Sequence, residues 1–370
     1  MIQTRKFFIT LSMLILLCMA LMHRESSTLA ADDNQIIFKT SIQVSTAEVR
    51  SVKHADGMWY DDYWHWAPRI KFNVQGPLPS GSQLSTEFFL PGNQTWVKYD
   101  CRTPELTAGQ IGKIECGYGL SERELKGIKD TGEFTFKIQI KSEVMGTSAT
   151  LFSGHFNVKK FRSEPDLPVN KNHWDYYVDH DWELPLGMVW YPRPYRSADG
   201  VDYYNDYAPL LTAFWFKGGE LIERNVAAYL LHDGKEVSNT KSRGHSIPET
   251  GIQVGGPSSP YNYARVQFEF TYVFAFAADH QSHPGYYLNE NPGEYEVRVL
   301  RDGKLTRVLK FTVGPDGKIV DNGIVNNNHV LGFRIVVPAQ VLGDADGQWD
   351  RNAWKTEMLY GNPLSGFVAP

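Results

Sequence analysis

The chain has 370 residues and a formal net charge of −5; 42% of its residues are hydrophobic, 13% aromatic and 21% charged. That composition supplies a substantial core and excludes a disordered chain. No long basic run occurs, which excludes a nucleic-acid partner held by phosphate neutralisation, and the length accommodates two or three domains.

Residues 1–30 read as a signal peptide. Arg5 and Lys6 form a basic start, Phe7 to Met22 is almost unbroken apolar sequence, and Ser26 to Ala31 supplies small residues for cleavage. The mature chain then begins near Ala31, carries a net charge of −7 and is secreted or periplasmic. An uncleaved anchor is the competing reading, because the apolar run is close to the shortest that spans a bilayer. Lipid anchoring at Cys18 is disfavoured by Leu17, which stands where a small residue is expected. No later segment is long and apolar enough to cross a membrane, so no transmembrane segment is expected in the mature chain.

Residues 31–162 form the first expected domain. Ala55-Asp56-Gly57 leads into an aromatic-acidic stretch with Trp59, Tyr60, Tyr63, Trp64 and Trp66, then Ala67-Pro68 and an apolar run to Gly76. Cys101 and Cys116 are the two cysteines left after cleavage, an even pair in an oxidising compartment, and a structural disulfide is expected in preference to two free thiols. Their spacing excludes a Cys-x-x-Cys metal or redox site. Ser121 to Lys129 suggests a helical turn. From Gly132 the hydrophobic period is two, with Phe134, Phe136, Ile138 and Ile140 alternating with polar residues as in a half-buried strand.

Residues 163–315 restate this order. Ala198-Asp199-Gly200 precedes Asp202 to Tyr207, then Ala208-Pro209 and an apolar run to Gly218; the segment closes on Gly293-Glu294-Tyr295 and Phe311-Thr312-Val313, against Gly132-Glu133-Phe134 and Phe156-Asn157-Val158. Two related domains in tandem explain the order. Val266 to Phe276 alternates as a long strand, and Asp302-Gly303 supplies the positive φ angles of a tight hairpin turn. The second copy is about 20 residues longer, placed in Gly244 to Tyr261 or Asp279 to Pro292. Long loops on a rigid scaffold are where binding sites are commonly built, although a solvated insertion explains the length equally well. His280 and His283 lie in the second stretch without a carboxylate or thiol at matching spacing.

The closing hairpins, with their Gly-Glu-aromatic start and Phe-x-Val end, resemble the last two strands of bacterial immunoglobulin-like modules. The resemblance covers those hairpins and brings no functional residues with it. It implies an all-β fold of two tandem antiparallel immunoglobulin-like β-sandwiches, 31–162 and 163–315, followed by a small C-terminal extension over 316–370. That extension is read as a strand at Val330 to Val337 and a helix over Gln348 to Tyr360.

Three candidate sites follow. The aromatic residues Trp59, Trp64, Trp66, Trp174, Tyr177 and Trp182 stand beside carboxylates as a sugar-binding surface requires, since a ring face covers sugar C–H groups and carboxylates accept hydroxyls. The plainer reading is that such rings fill cores. Asp344, Asp346 and Asp350 occupy the first, third and seventh positions of a loop that resembles dockerin and EF-hand calcium loops, but Gly347 comes at the fourth position and Lys355 at the twelfth. Calcium is the single cofactor this loop suggests; the alternative is a turn and a helix cap. Carboxylate pairs drawn from Asp61 and Asp62, from Asp179, Asp181 and Glu183, or from Asp202 and Asp206 raise glycoside hydrolysis. Motifs of the Gly-x-Ser-x-Gly and His-Glu-x-x-His types and phosphate-cradling glycine loops are absent from the sequence. The expected function is a non-enzymatic binding or structural interaction protein of the cell envelope, with a protein or polysaccharide partner. A carbohydrate-binding protein using the aromatic clusters and a glycoside hydrolase-like enzyme are the alternatives.

Overall fold

In the computed structural model the two-residue period beginning at Gly132 becomes strand β6 (Gly132–Ser142), whose Phe134, Phe136, Ile138 and Ile140 are buried while Glu133, Lys137 and Lys141 are exposed. The structure describes residues 36–55, 58–120, 124–142, 144, 146–162, 174–192, 195–196, 202–203, 208–218, 225–252, 259–275, 285–328, 330 and 334–370. The expected signal peptide, His280, His283 and Asp206 lie outside the described residues.

Strands β1 (Ile37–Ala55), β2 (Met58–Gln75), β3 (Ser82–Leu90), β4 (Gln94–Cys101) and β5 (Ile111–Cys116) precede β6, and β7 (Thr147–Phe161) and β8 (Asp175–Val178) follow it. They make two antiparallel sheets. One has the order β1-β2-β5; the other, β4-β3-β6-β7-β8, curves as a half-barrel. Trp66 of β2 meets Trp96 of β4 and Phe134 of β6 edge-on at 5.1 and 5.0 Å, and this aromatic contact fills the space between the sheets. Cys101, ending β4, is disulfide-bonded to Cys116, ending β5, so the bridge ties one sheet to the other.

The rest of the chain contains β9 (Leu186–Trp190), β10 (Tyr195–Arg196), β11 (Asp202–Tyr203), β12 (Pro209–Lys217), β13 (Val226–His232), β14 (Lys235–Asn239), β15 (His245–Ile252), β16 (Tyr263–Phe274), β17 (Tyr286–Tyr287), β18 (Gly293–Arg301), β19 (Lys304–Val313) and β20 (Ile335–Val341). Apart from the β10-β11 pair, these form one ten-stranded sheet ordered β14-β13-β18-β19-β20-β9-β12-β16-β15, with β17 beside β16. The sheet curls into a nearly closed barrel. The order β14-β13-β18-β19-β20 repeats β4-β3-β6-β7-β8, and the two closing hairpins share a register, Gly132 facing Val158 and Gly293 facing Val313. β15 lies in the first and β17 in the second of the two stretches where the extra length was expected.

Two open immunoglobulin-like sandwiches are nevertheless not what forms. β20 pairs with β19 on one side and β9 on the other, and this fuses what would be separate sheets into the barrel wall. Gly187 permits the approach, because a Cβ there would lie 2.4 Å from a methyl of Leu309 and 2.9 Å from the Val337 carbonyl oxygen. The wall is shared between two cores. Leu186, Met188, Leu211, Ala213 and Val336 face the core of the first two sheets, whereas Val189, Leu210, Phe214, Val337 and Ala339 face the barrel interior. With both faces covered, β9 and β12 are buried at every residue, which is why β12 reads as a continuous apolar run.

The C-terminal residues are likewise not an extension. Met358, Leu359, Tyr360, Leu364 and Phe367 join the first core. The Tyr360 hydroxyl accepts the Val44 N–H at 2.7 Å and donates to the Ile42 carbonyl at 3.3 Å, and its ring meets Phe136 and Trp182, each at 5.4 Å. The helix expected over Gln348 to Tyr360 is replaced by a 3₁₀ turn at Ala353–Lys355 and a break where Leu359 and Tyr360 adopt φ of 46° and 57°. Left-handed backbone cannot continue a helix, and here it directs the Tyr360 ring inward. Among the described residues no helix is long and apolar enough to cross a membrane.

Candidate functional site

Between β8 and β9 the chain makes one 3₁₀ turn, Asp181–Glu183, whose side chains are all buried. The turn anchors a charged network. Asp181 Oδ1 accepts from Lys217 Nζ and from the Tyr263 hydroxyl, each at 2.7 Å, and Oδ2 accepts the Asp350 N–H at 2.8 Å. Lys217 Nζ also donates to the Gln348 carbonyl at 2.9 Å, and its backbone N–H donates to Asp346 Oδ1 at 2.9 Å. Asp346 in turn holds Arg307 through two parallel bonds of 2.7 and 2.8 Å, and Arg301 donates to the Ala345 carbonyl at 3.0 Å. Three cations and one carboxylate from separate strands and the turn therefore pin the loop 344–350.

That loop is one wall of a cleft of about 1150 Å³ at the junction of β7, β8, the barrel edge and the C-terminal segment. Rings of Tyr177, Tyr261 and Trp349 line it, with Lys159, Lys217, Arg301 and Arg351 as its basic groups. Tyr177 and Tyr261 pack with centroids 4.6 Å apart, Phe161 backs Tyr261 at 4.3 Å, and the Arg351 guanidinium lies 4.9 Å from the Trp349 ring. At the edge of the cleft Asp179 is ion-paired with Lys159. Burial works to raise its carboxyl, but the hydrogen bond and charge of Lys159, with the Asp181 N–H, outweigh it and hold Asp179 below the usual range. Burial, and then the Asp181 and Asp179 charges, push the Tyr263 hydroxyl well up, so it remains a proton donor to both.

Of the aromatic residues singled out in the sequence whose side chains are described, Tyr177 lines this cleft. Trp66 is a core residue whose Nε1 donates to the Asp130 carbonyl at 2.8 Å, and Trp182 is buried against Tyr360. Trp174 is half-buried beneath Lys160 and Arg162, 5.0 and 5.2 Å from its centroid. Trp59 and Trp64 belong to β2, and their side chains lie outside the described residues, as do those of Asp61, Asp62 and Asp202. Asp344, Asp346 and Asp350 all line the cleft without forming a cation cage. Asp346 is committed to Arg307, and Asp350 Oδ1 accepts the Asn352 N–H at 2.8 Å. No group of three or more His, Cys, Asp or Glu among the described residues is placed to hold a metal.

Sequence reasoning missed Lys217, Tyr263, Arg301 and Arg307. Two of these carry a legible signal. Arg307 shares its parity along β19 with Leu309, Phe311 and Val313, an inward position for a charge, and Lys217 closes a strand that is otherwise almost entirely apolar. No protein-family model matches the chain, and no curated protein matches its sequence. The functional reading accordingly rests on the chemistry of the cleft.

Proposed function

We propose that the protein is an exported, non-catalytic binding protein, secreted or periplasmic, whose cleft takes a segment of a polysaccharide. The observation that carries this reading is the ring surface of Tyr177, Tyr261 and Trp349 set among charged groups in an open cleft of about 1150 Å³. Ring faces cover the C–H groups of a sugar while the flanking carboxylates and cations meet its hydroxyls. Export is supported by the basic-apolar-small order of residues 1–30 and by the Cys101–Cys116 disulfide, which suits an oxidising compartment.

Binding is favoured over hydrolysis by the state of Asp179, Asp181 and Glu183, the described carboxylates among the pairs that raised hydrolysis. Glycoside hydrolysis needs one protonated acid and one free carboxylate flanking the bond. Asp179 is held ionised by Lys159, both oxygens of Asp181 are occupied, and Glu183 lines a different cavity. The test is affinity electrophoresis of residues 31–370 through gels containing a panel of neutral and charged polysaccharides. Retardation by at least one polymer is expected, and Tyr261→Ala and Trp349→Ala should abolish it while the cooperative unfolding transition is kept, at a midpoint lowered by the lost ring packing. Uniform migration on every polymer, or release of reducing sugar from a retarding one, would remove the proposal.

A further inference from the structure

The turn that places Asp181 at the cleft places Glu183 in a second cavity, of about 270 Å³, between β1 and β2 of the first unit and β12 and β16 of the barrel. Glu183 is 3% exposed, and its Oε2 has no hydrogen-bond partner among the described residues. The neighbouring polar atom, His180 Nδ1, is 3.5 Å away. His180 Nε2 lies 2.9 Å from the Val44 carbonyl, which fixes the proton on Nε2, and burial lowers the imidazole to about 4, so the ring is neutral. Burial also raises the Glu183 carboxyl well above its ordinary range, against the opposing charges of Arg265 and Lys71. Burial thus favours the protonated carboxyl, and among the described residues no acceptor forms a hydrogen bond with Oε2.

The surrounding field is positive. Lys71 lines the cavity, and burial together with the charges of Lys113 and Arg265 lowers its hold on its proton. An anion would relieve that repulsion, and its oxygen would accept the Glu183 proton in a charge-assisted hydrogen bond. Ile42, Phe72 and Trp215 line the same cavity and supply apolar surface that a bare inorganic oxyanion would not use. A volume of about 270 Å³, below that of a drug-sized pocket, admits a small organic molecule.

We infer that this cavity binds a small organic carboxylate, one oxygen accepting a hydrogen bond from Glu183, the charge met by Lys71, and a short alkyl tail lying against Ile42 and Trp215. The site is separate from the cleft and does not depend on what the cleft binds.

The experiment is a thermal-unfolding titration of residues 31–370 with acetate, propionate and butyrate, against phosphate, sulfate and chloride at matched ionic strength and pH. A saturable rise in Tm is expected for the carboxylates, larger for propionate than for acetate, and absent in Lys71→Met. No saturable rise with any carboxylate overturns the inference, as does an equal rise with phosphate and sulfate or a rise that survives in Lys71→Met. Because that variant places a new side chain in a strand and its folding is not guaranteed, the wild-type protein is also titrated into ¹³C-carboxyl propionate. A saturable shift or broadening of the carboxyl resonance is expected, and an unchanged resonance overturns the proposal.

Discussion

Arg307 occupies a core position at 0% exposure, and all five of its N–H groups are used: by the Trp215 carbonyl twice, by the Thr306 carbonyl, and by both oxygens of Asp346. A buried pair so completely bonded adds little over apolar packing, yet it is costly to break, because the surviving charge has no water to replace its partner. Asp346→Ala should therefore destabilise the protein by about 3–5 kcal/mol in urea unfolding. A loss below about 1 kcal/mol would mean that loop 344–350 opens to solvate the guanidinium. His180 makes a second prediction. Its folded value of about 4 lies below the unfolded 6.5, so the unfolded chain takes up the proton first; the contribution is fully present above about pH 6.5 and is lost as pH falls toward 4. The full effect is about 3 kcal/mol. Glu183 acts in the opposite sense, since a raised carboxyl contributes fully below 4.5 and loses that contribution as pH rises. Urea midpoints measured from pH 4 to 8 should change little between about pH 4.5 and 6.5 in the wild type, where the two contributions oppose each other, fall toward acid in Glu183→Gln and rise toward acid in His180→Gln; identical slopes in all three would refute the assignment. The cysteine pairing was legible because two cysteines remain once the expected signal peptide is set aside. The aromatic residues were not, since a tryptophan serves a core or a sugar equally well, and the partner of Trp66 Nε1, the Asp130 carbonyl, is 64 residues away.

Strands are read most easily where one face is wet. Alternation located β6, β16, β18 and β19, and Asp302-Gly303 makes the expected turn with φ of 51° and 76°. The same dipeptide at Asp233-Gly234, φ 49° and 75°, joins β13 to β14. Alternation fails for β9, β12 and β20, because a strand with a core on each face carries no polar parity. β20 was legible as a strand but not as the strand that joins two sheets, since its partners β9 and β19 are set by long-range pairing. Ending the chain at residue 334 would expose the facing edges of β9 and β19 and open both cores. Loss of a cooperative unfolding transition and of near-ultraviolet dichroism is expected on that truncation. A cooperative transition with the native midpoint would show that β20 is dispensable.

At the scale of the molecule the two sheet systems cannot be separated without cutting a core. β8 follows the expected boundary at residue 162 yet completes the first unit's five-stranded sheet, and Tyr360 near the C-terminus bonds to Ile42 and Val44 near the start of the described chain. Both the cleft and the Glu183 cavity sit at this junction, where strands from both sheet systems meet. Composition, the period of two, the Asp-Gly turns and the spacing of the cysteines determined by themselves an all-β chain with a recurring hairpin and one disulfide, because each depends on neighbours a few residues apart or on counting. Which face of β12 meets which core, how β20 closes the barrel wall, and the gathering of Asp181, Lys217, Arg307 and Asp346 into one network were decided by tertiary structure alone. Those pairings span 36 to 129 residues of sequence, and their free energy exists only once burial has removed the water that would otherwise satisfy each charge.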